Sequence, residues 1–166
     1  LGNLGEPAAT EPVLSTLVDA LRDADADKDV REEAAEALGQ LGERAATEPV
    51  LNALLEVVLR DKHKWVRREV VEALGQLGER AATEPVLNAL LEVALRDAFW
   101  QDAGQEAAEA LGKLAERAAT EPVITALVDA LRDADEWWVR QNAAQALGKL
   151  GESAATEPVL MALVDA

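Results

Sequence analysis

The chain contains one imidazole, His63, in the stretch Asp61-Lys62-His63-Lys64, and no cysteine. That inventory removes disulfides, thiolate nucleophiles and thiolate metal centres at once. A serine–histidine–aspartate relay would need His63 held beside a serine and an orienting carboxylate. Two flanking lysines instead suggest a solvated turn. Carboxylates are plentiful, with 32 Asp and Glu against 16 Lys and Arg. Paired carboxylates do acid–base work when an apolar pocket raises one pKa above the other. Here they recur at regular spacing, as charges on a solvated helix surface do. Neither catalysis, a cofactor nor a bound metal is expected.

The net charge of −16 disfavours nucleic acid, whose binding is driven by Lys and Arg displacing counterions. No apolar run approaches the ~18 residues a membrane span needs, and no signal peptide is visible. The expectation is a cytoplasmic chain with a protein or peptide partner.

The elements that must position the remaining side chains are written five times. Thr-Glu-Pro begins at Thr10, Thr47, Thr83, Thr120 and Thr156, at spacings of 37, 36, 37 and 36. Ala-Leu-Gly shares the period, with its glycine at Gly39, Gly75, Gly112 and Gly148. Full repeats therefore run over 10–46, 47–82, 83–119 and 120–155. Residues 1–9 read as the tail of a preceding repeat, and 156–166 as a further first helix. The expectation is a single domain cut from a longer array, whose ends could stack on a second copy. The second repeat has six acidic and six basic residues, whereas the first has ten acidic and four basic.

Each repeat encodes two helices. In the second, Thr47 is placed to cap a helix whose first turn holds Pro49. Val50, Leu51, Leu54, Leu55, Val58 and Leu59 follow at helical spacing. A turn through Lys62 and His63 leads to a second helix from Trp65 to Leu77, and Gly78 permits the stop. Two helices of about thirteen residues cannot bury their faces alone, but stacked copies share one core. The fold class is therefore all-α, a right-handed α-solenoid of stacked antiparallel helix pairs. Alanines such as Ala34, Ala35 and Ala37, with Gly39, allow close helix approach.

The stretch from Leu131 to Leu163, "LRDADEWWVRQNAAQALGKLGESAATEPVLMAL", resembles the HEAT-like repeat of the phycobilin-lyase type. It carries a turn Asp, a Val-Arg opening the second helix, Ala-Leu-Gly, and a Glu-Pro opening the next unit. It is also similar to artificial consensus proteins built from that repeat. The resemblance implies a polar ladder along the stack, matched here by Asp23 with Arg31, Asp61 with Arg67, and Asp133 with Arg140. The third repeat puts Ala103 and Gly104 at the Val-Arg position, which should interrupt the ladder, although Asp97 remains. Phe99 and Trp100 occur there as candidate gap fillers. The step from the Leu-Arg-Asp arginine to the valine position is 8, 6, 7 and 7 residues, more in keeping with duplication and drift than with design.

The outward series on the second helices varies between copies while the core positions do not. It comprises Asp29, Glu32, Glu36 and Gln40 in the first repeat, and Trp65, Arg68, Glu72 and Gln76 in the second. The third gives Asp102, Gln105, Glu109 and Lys113, and the fourth Trp138, Gln141, Gln145 and Lys149. In this repeat class second helices line the concave side, so the series is the candidate binding face. Trp65 and Trp138 are candidate anchors, and Trp137 is expected to pack on the turn. The leading expectation is a non-catalytic interaction scaffold. The alternatives are a bilin-lyase-type subunit acting in chromophore attachment, an artificial repeat scaffold, and the sensor segment of a signalling NTPase.

Overall fold

Each first helix begins at the glutamate of its Thr-Glu-Pro triplet. A computed structural model describes residues 9–96, 101–133 and 135–165. Asp97, Phe99, Trp100 and the tail at 1–8 lie outside the described residues. The elements are α1 (Glu11–Arg22), α2 (Lys28–Gln40), α3 (Glu48–Arg60), α4 (Lys64–Gln76), α5 (Glu84–Arg96), α6 (Gln101–Lys113), α7 (Ala115–Ala118), α8 (Glu121–Asp133), α9 (Trp137–Leu150) and α10 (Glu157–Asp165).

The expected threonine caps differ in one respect. Thr10 and Thr47 occupy the N-cap with extended backbone, but neither side chain accepts a hydrogen bond. A cap oxygen bonds the amide of the second or third helical residue. Pro12 and Pro49 stand second and have no N–H to offer, and the third-residue amides of Val13 and Val50 are not taken up by the threonine hydroxyls either. The threonine carbonyls make the ordinary first helical bond, Thr47 O accepting from Leu51 N at 2.9 Å.

The repeat junctions show the sequence acting on the backbone. Gly42, Gly78 and Gly151 have φ of 60°, 70° and 58°, each at a short 3-10 turn. That left-handed conformation strains residues with a Cβ. The third repeat has Ala115 at the same place, and there the chain forms the short α-helix α7 instead.

The chain divides into two compact units, Leu1–Ala81 and Ala82–Ala166. In unit one, α1 packs on α2 and α3 on α4, while α1 meets α3 and α2 meets α4. Leu21, Leu38, Leu54, Leu74 and Leu77 are fully buried between them. Unit two repeats the scheme: α5 packs on α6 and α8 on α9, while α5 meets α8 and α6 meets α9. Leu90, Leu111, Leu114 and Leu127 fill its centre. Each such leucine is worth roughly 1.5–3 kcal/mol of burial. The fold is all-α, built from stacked helix pairs of the solenoid class, with no strand among the described residues.

Candidate binding face

The second helices approach closely because the Ala-Leu-Gly glycine carries no side chain. A Cβ on Gly39 would stand 2.9 Å from Ala73 Cα and 2.6 Å from Gln76 Oε1. Gln76, one of the outward series, therefore lies across the α2–α4 seam, and its amide donates to Glu72 Oε1 at 3.1 Å. On α2, Gln40 donates to Glu36 Oε1 at 2.7 Å. In unit two the Lys149 stem covers Gly112, and Lys149 Nζ lies 3.8 Å from Glu109.

The outward series is graded in exposure. Asp29, Glu36, Gln40, Gln105, Lys113, Gln141 and Lys149 are exposed. Glu32, Arg68, Glu72, Gln76, Glu109, Trp138 and Gln145 are half-buried. The Asp102 side chain lies outside the described set. Oε1 of Glu32 is buried without a hydrogen-bond partner. Glu69, one residue outside the series on α4, is half-buried, and its pKa is pushed up. Burial is the main cause, followed by repulsion from Glu72, Glu36 and Glu32, while Arg68 opposes the shift.

The two tryptophan anchors part company. Trp65 is 44% exposed, with Lys64 Nζ 4.4 Å from its ring centroid. Trp138 turns inward, and its Nε1 is buried without a partner. Trp137, expected to pack on the turn, is 54% exposed, and the two rings meet edge to face.

Polar contacts expected along the stack appear in part: Arg31 reaches Asp61 of the following repeat, and Arg67 meets its matching Asp61 through the backbone carbonyl. The Arg31 side chain, 4% exposed, is ion-paired with the Asp61 side chain, 6% exposed, at the end of α3 in the following repeat. Asp61 Oδ1 also accepts from His63 N at 2.7 Å. Asp23 is exposed and accepts from Asp25 N within its own turn. Arg67 donates to the Asp61 carbonyl and Arg140 to the Asp135 carbonyl, the latter at 3.2 Å. The Asp133 side chain lies outside the described set. The guanidinium fork is long enough to cross a repeat boundary, so the contact links neighbours.

Gly104 leaves room where the third repeat lacks an arginine. A Cβ there would overlap Nδ2 of Asn142, which is buried and donates to Ala94 O at 3.0 Å. Ala94 lies in the last turn of α5, where carbonyls lack helical partners. Sequence reasoning missed Asn142. Its signal is that Glu33, Glu69 and Glu106 occupy the matching places in the other repeats.

A cleft of about 630 Å³ in unit one lies between α1 and α3, lined by Leu14, Val18, Arg22, Arg44, Thr47 and Val50 among others. A smaller one of about 300 Å³ recurs between α5 and α8, with Arg117 in the place of Arg44. Residues of the outward series line neither. Among the described residues no group of three or more His, Cys, Asp or Glu could hold a metal ion. None of their helices is long and apolar enough to cross a membrane.

Helix pairs stacked pair on pair, first helix on first and second on second, define an α-helical repeat protein. The HEAT repeats family matches residues 14–97 and 87–166, and the chain belongs to that family. A solved structure, the crystal structure of an engineered protein from a structural genomics consortium, is similar over 90% of this chain and 69% of its own. The two are 25% identical, with a TM-score of 0.60. Comparison with curated proteins finds no match.

Proposed function

We propose that the chain is a non-catalytic interaction scaffold that binds a protein or peptide across the outward side of its second helices. The observation that carries this reading is the contrast between copies. Core places such as Leu38, Leu74, Leu111 and Leu147 are the same residue in every repeat. The surface places beside them read Glu36, Glu72, Glu109 and Gln145, or Gln40, Gln76, Lys113 and Lys149. Packing holds the first set constant and leaves the second free to specify a ligand. Membership of the HEAT-repeat family supports the scaffold role, and the lone histidine with the absence of cysteine supports a non-catalytic one.

The test is affinity capture followed by calorimetric titration of the captured partner. Trp65→Ala and Gln105→Ala should each weaken binding several-fold. Asn52→Ala and Asn88→Ala, exposed on the first helices, should leave it unchanged. The reverse pattern would move the binding surface to the first helices and their clefts.

A further inference from the structure

We infer that the Trp137–Trp138 corner takes the guanidinium of an arginine in a basic peptide. The inference rests on the interaction reading above and names the chemistry of the partner. Repeat two supplies the reference. Its turn reads Lys62-His63-Lys64-Trp65, and Lys64 Nζ sits 4.4 Å from the Trp65 ring centroid. That is within the ~6 Å at which a cation is drawn to an indole face. This turn brings its own cation.

Repeat four keeps the tryptophan and replaces the three residues before it. The matching residues are Asp135-Glu136-Trp137-Trp138, so a second indole replaces the lysine and two carboxylates replace the other basic residues. The rings lie 6.0 Å apart at 83°. They meet edge to face, with Trp137 54% exposed and Trp138 half-buried behind it. Asp135 and Glu136 are exposed immediately before them. The turn thus keeps the aromatic half of a cation site, lacks the lysine that covers the ring in repeat two, and adds side-chain acceptors, while its own Arg140 is engaged by the Asp135 carbonyl. The positive end of α9 opposes a cation here, which gives the two carboxylates a specific task. A planar guanidinium suits the corner better than an ammonium, because it stacks on an indole while its edge N–H groups reach carboxylates.

The net charge of −16 attracts any polycation, so the experiment must separate the corner from the general field. The probe is a hexa-arginine peptide titrated into the full chain, with the four indole N–H resonances followed by NMR. Saturable shifts should concentrate on Trp137 and Trp138. Trp137→Ala should weaken binding about two- to fivefold, as expected for an exposed cation–π contact. Trp137→Phe should retain part of the affinity, Glu136→Gln should weaken it, and hexa-lysine should bind less well. Affinity unchanged in Trp137→Ala, with shifts spread over all four indoles, would overturn the site. An equal response to hexa-lysine would overturn the assignment to arginine. Should the corner bind while a captured partner ignores the second-helix variants, the scaffold reading fails and the corner stands; the opposite result removes the corner alone.

Discussion

The two units solve one problem with different chemistry. In each, a second-helix side chain must tie its repeat to the end of the first helix next door. Unit one uses a buried ion pair, Arg31 reaching forward from α2 to Asp61 after α3. Unit two uses a neutral amide, Asn142 reaching back from α9 to Ala94 O in α5. The ion pair is directional and strong once formed, but each charge is costly if left alone. The amide asks for less desolvation and fits only because Gly104 vacates the space. A repeat array can thus exchange one clamp for another without changing its period.

The largest effect should come from breaking the charged clamp. Arg31→Ala strands the Asp61 carboxylate in a buried site and should cost about 3–5 kcal/mol. A lower urea midpoint at unchanged m would show it. The paired replacement Arg31→Met with Asp61→Leu should recover part of that loss, because no orphan charge remains although His63 N loses its acceptor. If Arg31→Ala lowers the unfolding free energy by only a few tenths of a kcal/mol, about the size of an ordinary surface change, the clamp is not a principal tie in unit one.

The neutral clamp should be weaker and coupled. Asn142→Ala leaves Ala94 O without its donor and should cost about 1–3 kcal/mol. Gly104→Ala forces a methyl group against the amide and should cost a similar amount, about 1–3 kcal/mol. The two should not add. With Asn142 already alanine the added methyl meets no amide, and Gly104→Ala should become neutral or stabilising by up to about 1 kcal/mol through helix propensity. A double-mutant cycle reads this directly. Additive losses would mean that Gly104 serves some other close contact.

Much of the architecture is legible in the repeats because packing enforces it. Leu38, Leu74, Leu111 and Leu147 mark the core at a fixed interval, and Glu11, Glu48, Glu84, Glu121 and Glu157 each open a helix. What is not legible depends on contacts that cross a repeat boundary. Asp23 and Arg31 lie close in sequence, but the guanidinium passes over that turn to Asp61. Gly104 and Asn142 are each visible as departures from the pattern, yet only packing shows that one makes room for the other. Trp65 and Trp138 hold one place in the repeat but differ in exposure, and Trp138 alone has a second indole, Trp137, packed edge to face on it. Composition identifies candidate face residues, whereas their neighbours decide how far each one projects.

The smallest expected effect sharpens the same contrast at one position. Glu69 in unit one and Asn142 in unit two occupy matching places, the first an acid and the second an amide. Burial, with Glu72, Glu36 and Glu32 close by, raises the folded-state pKa of Glu69 above its unfolded value, with Arg68 offsetting part of the shift. For an acid this sign means that the folded state favours the protonated form. Its relative stabilisation is full below the ordinary glutamate pKa and fades as pH rises through the raised folded value. Unit one should therefore lose a little stability on going from mildly acidic to neutral pH, on top of whatever the other groups contribute. Glu69→Gln should remove that component and stabilise unit one at neutral pH by a few tenths of a kcal/mol, since the site is partly open to solvent. Urea midpoints for both proteins across that pH range provide the check: their difference should be small in acid and grow toward neutrality. If instead it shrinks as pH rises, the Glu69 carboxylate is held by a cationic partner in the folded state, and the acidic seam between α2 and α4 is a stabilising feature of unit one.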